Sequence, residues 1–224
     1  MQPDRGGGMR IKMRFIGVTG GVGAGKSEVL SYLKDHYACK VMLADEIAHD
    51  LMEPGTACYR QLTTLFEGLD VYAYDTDPDA RTDGETVERR ELPFDRKKLA
   101  AVLFSDEKLL AQMNAIVHPA VHAYVTEVVK TEREKGTLSL LVLEAALLIE
   151  ENYGAICDEL WYIYASEDVR RARLKASRGY SDEKTTSIMA AQLPEEEYRK
   201  HCKVVIDNSG SFEHTAAQIR EALR

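Results

Sequence analysis

Cysteine is scarce in this chain: four in 224 residues, at Cys39, Cys58, Cys157 and Cys202. None sits in a CxxC pair or at a His/Cys ligand spacing, which argues against a zinc site and leaves reduced, structural thiols as the expectation. Long apolar runs are missing too. The longest candidate, Leu138 to Ile149, is interrupted by Glu144 and is shorter than the roughly 20 apolar residues a membrane span needs. Positive charge is in deficit, with 29 Lys and Arg against 37 Asp and Glu and no long basic stripe. That balance argues against nucleic acid as a partner.

The remaining composition is that of a folded chain. Hydrophobic residues make up 45%, charged residues 29% and aromatics 8%, enough for one sizeable core or a core with small inserted subdomains. The net charge of −8 is concentrated: Glu67 to Asp95 carries ten acids against Arg81, Arg89 and Arg90. That acidic stretch has no sustained period and reads as a loop or solvated insertion. Residues 1–13 include Gly6, Gly7 and Gly8 but no apolar signal-peptide core. They read as a disordered leader on a cytoplasmic protein without a membrane partner.

Short apolar runs alternate with helical patterns. Strands are expected at Phe15 to Thr19, Cys39 to Leu43, Thr137 to Leu143, Glu159 to Ala165 and Val204 to Ile206. Helices are expected between them, including separate ones at Asp95 to Phe104, Asp106 to Ile116 and Ala120 to Glu134. The alternation predicts an α/β fold with a doubly wound, five-stranded parallel sheet.

The sharpest local signal is Gly20-Gly21-Val22-Gly23-Ala24-Gly25-Lys26-Ser27, a full match to GxxxxGK[ST] between a strand and a helix. Glycines there let successive backbone N–H groups, through Glu28, converge on phosphate oxygens at a helix N-terminus. Lys26 supplies a cation to the β- and γ-phosphates of ATP, and the Ser27 hydroxyl is placed to ligate Mg²⁺.

Four further features bear on the chemistry. Asp45 lies two residues past the second strand, where a carboxylate either accepts the proton of an attacking hydroxyl or caps the next helix. Glu144 ends an apolar strand, the pattern of an acid that holds Mg²⁺ through water. Asp168 to Arg178 carries Arg170, Arg171, Arg173, Lys175 and Arg178. Arg171, Lys175 and Arg178 share a helical face, which either presents charge to a transferring phosphoryl group or is simply solvated. Asn208 follows the last strand in Asn208-Ser209-Gly210, which by itself is a turn.

Taken in order, these segments resemble the dephospho-coenzyme A kinase family. The resemblance rests on Gly17 to Ser27, Ala44-Asp45-Glu46-Ile47-Ala48 with Pro54-Gly55, and Asp95-Arg96 before a helix ending Val102-Leu103-Phe104. It continues through Met113 to Pro119, Leu147 to Glu150, Arg178 to Ser181, Gln192 and Val205 to Gly210, covering nearly everything from Arg14 to Leu223. It implies a P-loop kinase domain over 14–224, with a helical acceptor-binding insertion at about 56–137 and a lid at about 168–193. It implies transfer of the ATP γ-phosphoryl group to the ribose 3′-hydroxyl of dephospho-coenzyme A by a monomer or small homo-oligomer. Asp45 matches the family's base, Arg173 and Arg178 its catalytic arginines, and Asn208 a loop bordering adenine. His49, His118 and Glu150 match positions implied to bind the acceptor. The alternative for His118-Pro119 is a helix start with Pro in the first turn.

Three positions depart from that pattern: Leu43 stands where the family has an acid, Glu28 where it has Thr, and Ala146 where it has Pro. Two other functions therefore stay open, a P-loop kinase for another small metabolite and a nucleotide-binding regulator that has lost catalysis.

Overall fold

Arg14–Thr19 forms the first strand, β1, and five of its six residues are buried. An apolar run buried on both faces is what a central parallel strand requires, and the computed structural model places it so. The model describes residues 12–73 and 92–224. Parallel partners flank β1: β3 (Leu140–Glu144) with Val18 opposite Glu144, and β4 (Glu159–Tyr164) with Thr19 opposite Tyr162. Outside them lie β2 (Cys39–Leu43) and β5 (Val204–Asp207), giving the order β2-β3-β1-β4-β5. All four pairings are parallel. The expected fold class is the observed one.

The chain divides into two compact units, one comprising the chain up to Leu43 with Val128–Arg224, the other Ala44–Glu127. In the first, α1 (Lys26–His36) buries Val29, Leu30 and Leu33 in a core with Ile16, Val18, Val142, Trp161 and Ile163. Ile206 and Ile219 belong to the same cluster. Each such side chain removes apolar surface worth roughly 1.5–3 kcal/mol from water. This unit also holds α6 (Glu167–Arg178), α7 (Asp182–Ala190), α8 (Glu195–His201) and α9 (Phe212–Ala222).

The second unit contains α2 (Ala44–Leu51), α3 (Ala57–Leu65) and α4 (Arg96–Ser105). Its core is an aromatic cluster: Phe94 meets the rings of Tyr59, Phe66 and Tyr72 at centroid distances of 5.1, 5.5 and 5.4 Å. An antiparallel bridge joins Tyr72 to Phe94, with Ala73 N–H donating to Pro93 O and Asp95 N–H to Val71 O. Most of the acidic stretch lies in 74–91, outside the described residues, as do residues 1–11 of the expected leader. Met13, at the leader's end, is 6% exposed and part of the core.

One expectation is corrected. The helices foreseen at Asp106 to Ile116 and Ala120 to Glu134 are a single helix, α5 (Glu107–Lys135), with Pro119 in its interior. His118-Pro119 is therefore not a helix start. Proline inside a helix costs about 3 kcal/mol. On either side of it, Val117, Val121, Val125 and Val129 are buried at four-residue spacing, and roughly 1.5–3 kcal/mol for each outweighs that cost. A 3₁₀ turn at Tyr153–Ala155 was also not foreseen.

Candidate active site

The loop Gly20 to Ser27 leaves the carboxyl end of β1, the central strand, and enters α1. Gly20 has φ 153°, and a Cβ there would lie 2.4 Å from Ile163 O. Gly25, the N-cap of α1, has φ 86°, and its Cβ would lie 2.3 Å from Asn208 Nδ2. Neither position tolerates a side chain, so both glycines are demanded by close approach as well as by backbone conformation.

Lys26 folds back over the start of the loop. Its Nζ donates to Gly20 O at 2.8 Å and lies 3.5 Å from Glu144 Oε1. Lys26 and Glu144 are each 19% exposed at the side chain, shielded enough to hold the cation in place and open enough to meet a ligand. Ser27 and Glu28, in the first turn of α1, are exposed. Hydroxyl and carboxylate oxygens are hard donors, and Mg²⁺ normally takes only one or two protein ligands, completing its shell with water and phosphate. Ser27 and Glu144 fit that donor set.

The second half of the loop is braced from behind. Asn208, 1% exposed, donates through Nδ2 to Ala24 O at 2.9 Å and accepts from Thr215 Oγ1 at 2.9 Å. Arg173 donates from Nη1 to Ala24 O at 3.2 Å and from Nη2 to Asn208 O at 2.9 Å. The Asn208 side chain is thus spent on the loop and on α9.

The first half meets a different pair. Arg170 donates from Nε to Val22 O at 2.8 Å and from Nη2 to Gln192 Oε1 at 2.7 Å. Val22 N–H donates to the same Gln192 oxygen at 3.2 Å. The face of α6 that reaches the loop is therefore Arg170, Arg173 and Leu174. The face through Arg171, Lys175 and Arg178 is the solvated one. Arg171 pairs with Glu167 and Thr186, Lys175 is exposed, and Arg178 is exposed with its guanidinium 5.8 Å from the Tyr180 ring centroid. No local pattern in the sequence marks Arg170, Gln192 or Thr215 as part of the site. Arg170 was one of five cations in the basic run, and Gln192 an isolated residue.

Of the remaining candidates, Asp45, His49 and His118 belong to the helical unit and Glu150 to the sheet unit. Asp45 is the second residue of α2, exposed, and no hydrogen bond reaches its carboxylate among the described residues. It is not a helix cap, because α2 starts at Ala44. His49 contacts Arg96 and lies 3.4 Å from Glu53. His118 sits half-buried within α5. Glu150 is exposed in the sheet unit, and burial first, then the Glu150 charge, pushes the Tyr198 phenol up.

A strand, a phosphate loop and a helix at the centre of a five-stranded parallel sheet define the P-loop kinase fold class. A family profile described as "Dephospho-CoA kinase" matches residues 14–214. The dephospho-CoA kinase of Carboxydothermus hydrogenoformans is 32% identical over 214 residues, 96% of this chain and 95% of that one. Among solved structures, TT1252 from Thermus thermophilus is 29% identical, with TM-score 0.69, over 94% of this chain and 96% of its own. Dephospho-CoA kinase from Campylobacter jejuni shares the fold at 18% identity and TM-score 0.65, covering 95% and 96%. The chain belongs to the dephospho-CoA kinase family.

Proposed function

We propose that this chain transfers the γ-phosphoryl group of ATP to the ribose 3′-hydroxyl of dephospho-CoA, giving CoA and ADP. The observation that carries the reading is Lys26, held between Gly20 O and Glu144 at the mouth of a complete phosphate loop in a chain matched to the family over 14–214. The N–H groups from Gly21 to Glu28 bind the phosphates. Lys26 neutralises charge on the β- and γ-phosphates as the bridging P–O bond lengthens. Ser27 and Glu144 are the residues that would hold Mg²⁺, which would supply neutralising charge to the phosphate oxygens. The 3′-oxygen forms its bond to the γ-phosphorus as the bond to the β–γ bridging oxygen breaks and ADP leaves with the electron pair.

Asp45 is the base. Its carboxylate, exposed in the first turn of α2 and without a hydrogen bond among the described residues, takes the hydroxyl proton. His49, His118 and Glu150 bind the acceptor, and the helical unit supplies its surface. The helices α6 and α7 form a lid that excludes water, a competing nucleophile. Arg173 positions the loop through its two carbonyl contacts, Arg178 joins the site when the lid closes, and Asn208 supports the adenine end. The reaction runs in the cytoplasm.

The test is a coupled ADP-release assay with dephospho-CoA, adenosine, shikimate and no acceptor side by side. Release dependent on dephospho-CoA supports the reading. Release driven by another acceptor, or by none, rejects it.

A further inference from the structure

Two donors converge on one oxygen at the front of the phosphate loop: Val22 N–H at 3.2 Å and Arg170 Nη2 at 2.7 Å, both aimed at Gln192 Oε1. A backbone N–H and a guanidinium meeting at a single acceptor are the parts of an oxyanion pocket. Here the acceptor is a neutral carboxamide oxygen, a weaker partner for a guanidinium than an anionic one. Arg170 is fixed over the loop by its Nε bond to Val22 O, and a Cβ built on Gly21 would lie 2.5 Å from its Cζ. Its Nη1 makes no hydrogen bond among the described residues, so donors remain for more than one ligand oxygen.

The position along the nucleotide follows from Lys26. In this loop type the lysine reaches the β- and γ-phosphates, and its Nζ lies on Gly20 O, at the same end of the loop as Gly21 and Val22. The γ-phosphoryl end of ATP therefore faces this pocket. Arg173, in contrast, is committed to Ala24 O and Asn208 O, and Arg178 is exposed beside Tyr180.

We propose that Val22 N–H and Arg170 form a pocket for an oxygen of the transferring phosphoryl group, that Gln192 Oε1 holds this pocket in the nucleotide-free chain, and that ATP displaces it. Arg170 is then a catalytic residue and Gln192 a positioning residue that doubles as a weak internal competitor. The inference rests on the kinase reading above. Charge on the phosphoryl oxygens grows in the transition state, so Arg170 acts more on that state than on bound ATP.

The experiment compares wild type, Arg170→Ala, Arg170→Lys and Gln192→Glu, measuring kcat, KM for ATP, and binding of MgADP with and without aluminium fluoride. Wild-type turnover with dephospho-CoA checks the underlying reading separately. Arg170→Ala is expected to lower kcat by ~10²–10³-fold and to weaken the ADP–aluminium fluoride complex in proportion. ADP affinity alone should stay within about threefold. Arg170→Lys keeps the charge but lacks the planar fork, and should lose at least ~10-fold in aluminium fluoride binding even where the Ala variant fails to fold. Gln192→Glu places an anion in the pocket and should raise KM for ATP ~10-fold or more, leaving KM for dephospho-CoA unchanged. Wild-type aluminium fluoride affinity in the Arg170 variants that fold, or an unchanged KM for ATP in Gln192→Glu, overturns the proposal.

Discussion

The two halves of the phosphate loop are held by side chains of very different commitment. Behind Ala24 and Gly25, the Asn208 carboxamide is 1% exposed and bonded on both sides, and Arg173 spans two backbone carbonyls. In front, among the described residues, Gly20 and Val22 are met by the half-buried side chains of Lys26, itself paired with Glu144, and of Arg170 and Gln192. A buried amide that loses its partner bears the full cost of desolvation, whereas a half-exposed cation exchanges a carbonyl for a phosphate or water at little cost. The rear is thus built to stay and the front to trade partners. Substitutions in front should alter rates without altering melting, and substitutions behind should alter melting first.

The largest effect is expected from Asp45→Asn, outside the loop but in the same chemistry. Turnover should fall ~10²–10⁴-fold, roughly 3–5 kcal/mol of barrier, with ATP affinity and melting nearly unchanged. Steady-state rates with dephospho-CoA check this, and a rate near wild type removes Asp45 from the mechanism. Lys26→Ala comes next, at ~10²–10³-fold in turnover with markedly weaker ATP binding. Unchanged ATP affinity by calorimetry would contradict the site assignment.

Asn208→Ala should reverse the balance. It removes the shortest acceptor of the Thr215 hydroxyl, leaving Asp207 O at 3.3 Å, and takes a donor from Ala24 O, costing about 1–3 kcal/mol of stability, or roughly 2–12 °C in Tm for a chain of this size. A thermal melt decides it. A wild-type Tm with a large loss of turnover would make Asn208 a front residue in all but position.

Smallest is Glu132→Gln, which marks an effect that never reaches the loop. Hydrogen bonds from Lys40 first, then Lys135, hold the Glu132 carboxyl below the usual carboxylate range, and its side chain is 8% exposed. A folded-state pKa below the unfolded one means that this contribution is present above about pH 4.5 and is lost as pH falls further. The variant should be less stable than wild type at pH 7 by about 1 kcal/mol, and the gap should narrow in melts at pH 4. Its kcat should not change.

Sequence alone determined the parts whose constraint is local. The glycine pattern, Lys26 and Ser27 define the loop because a backbone that wraps phosphate needs those residues at those spacings. The apolar runs around Val18 and Val142 define buried parallel strands because both faces must be covered. Other features needed partners far along the chain. The helix Glu167–Arg178 is cationic around much of its girth, so periodicity groups Arg171, Lys175 and Arg178 on one face without saying which face meets the loop. Packing of Leu174 settles the phase, turning Arg170 and Arg173 to the loop. Asn208-Ser209-Gly210 has the composition of a turn, and only the return of α9 with Thr215 and the approach of Ala24 make its first residue a buried brace. Pro119 reads as a boundary until burial of the valine stripe on both sides outweighs its missing N–H. In each case the local preference is worth a few kcal/mol or less, and long-range contacts of similar size decide the outcome.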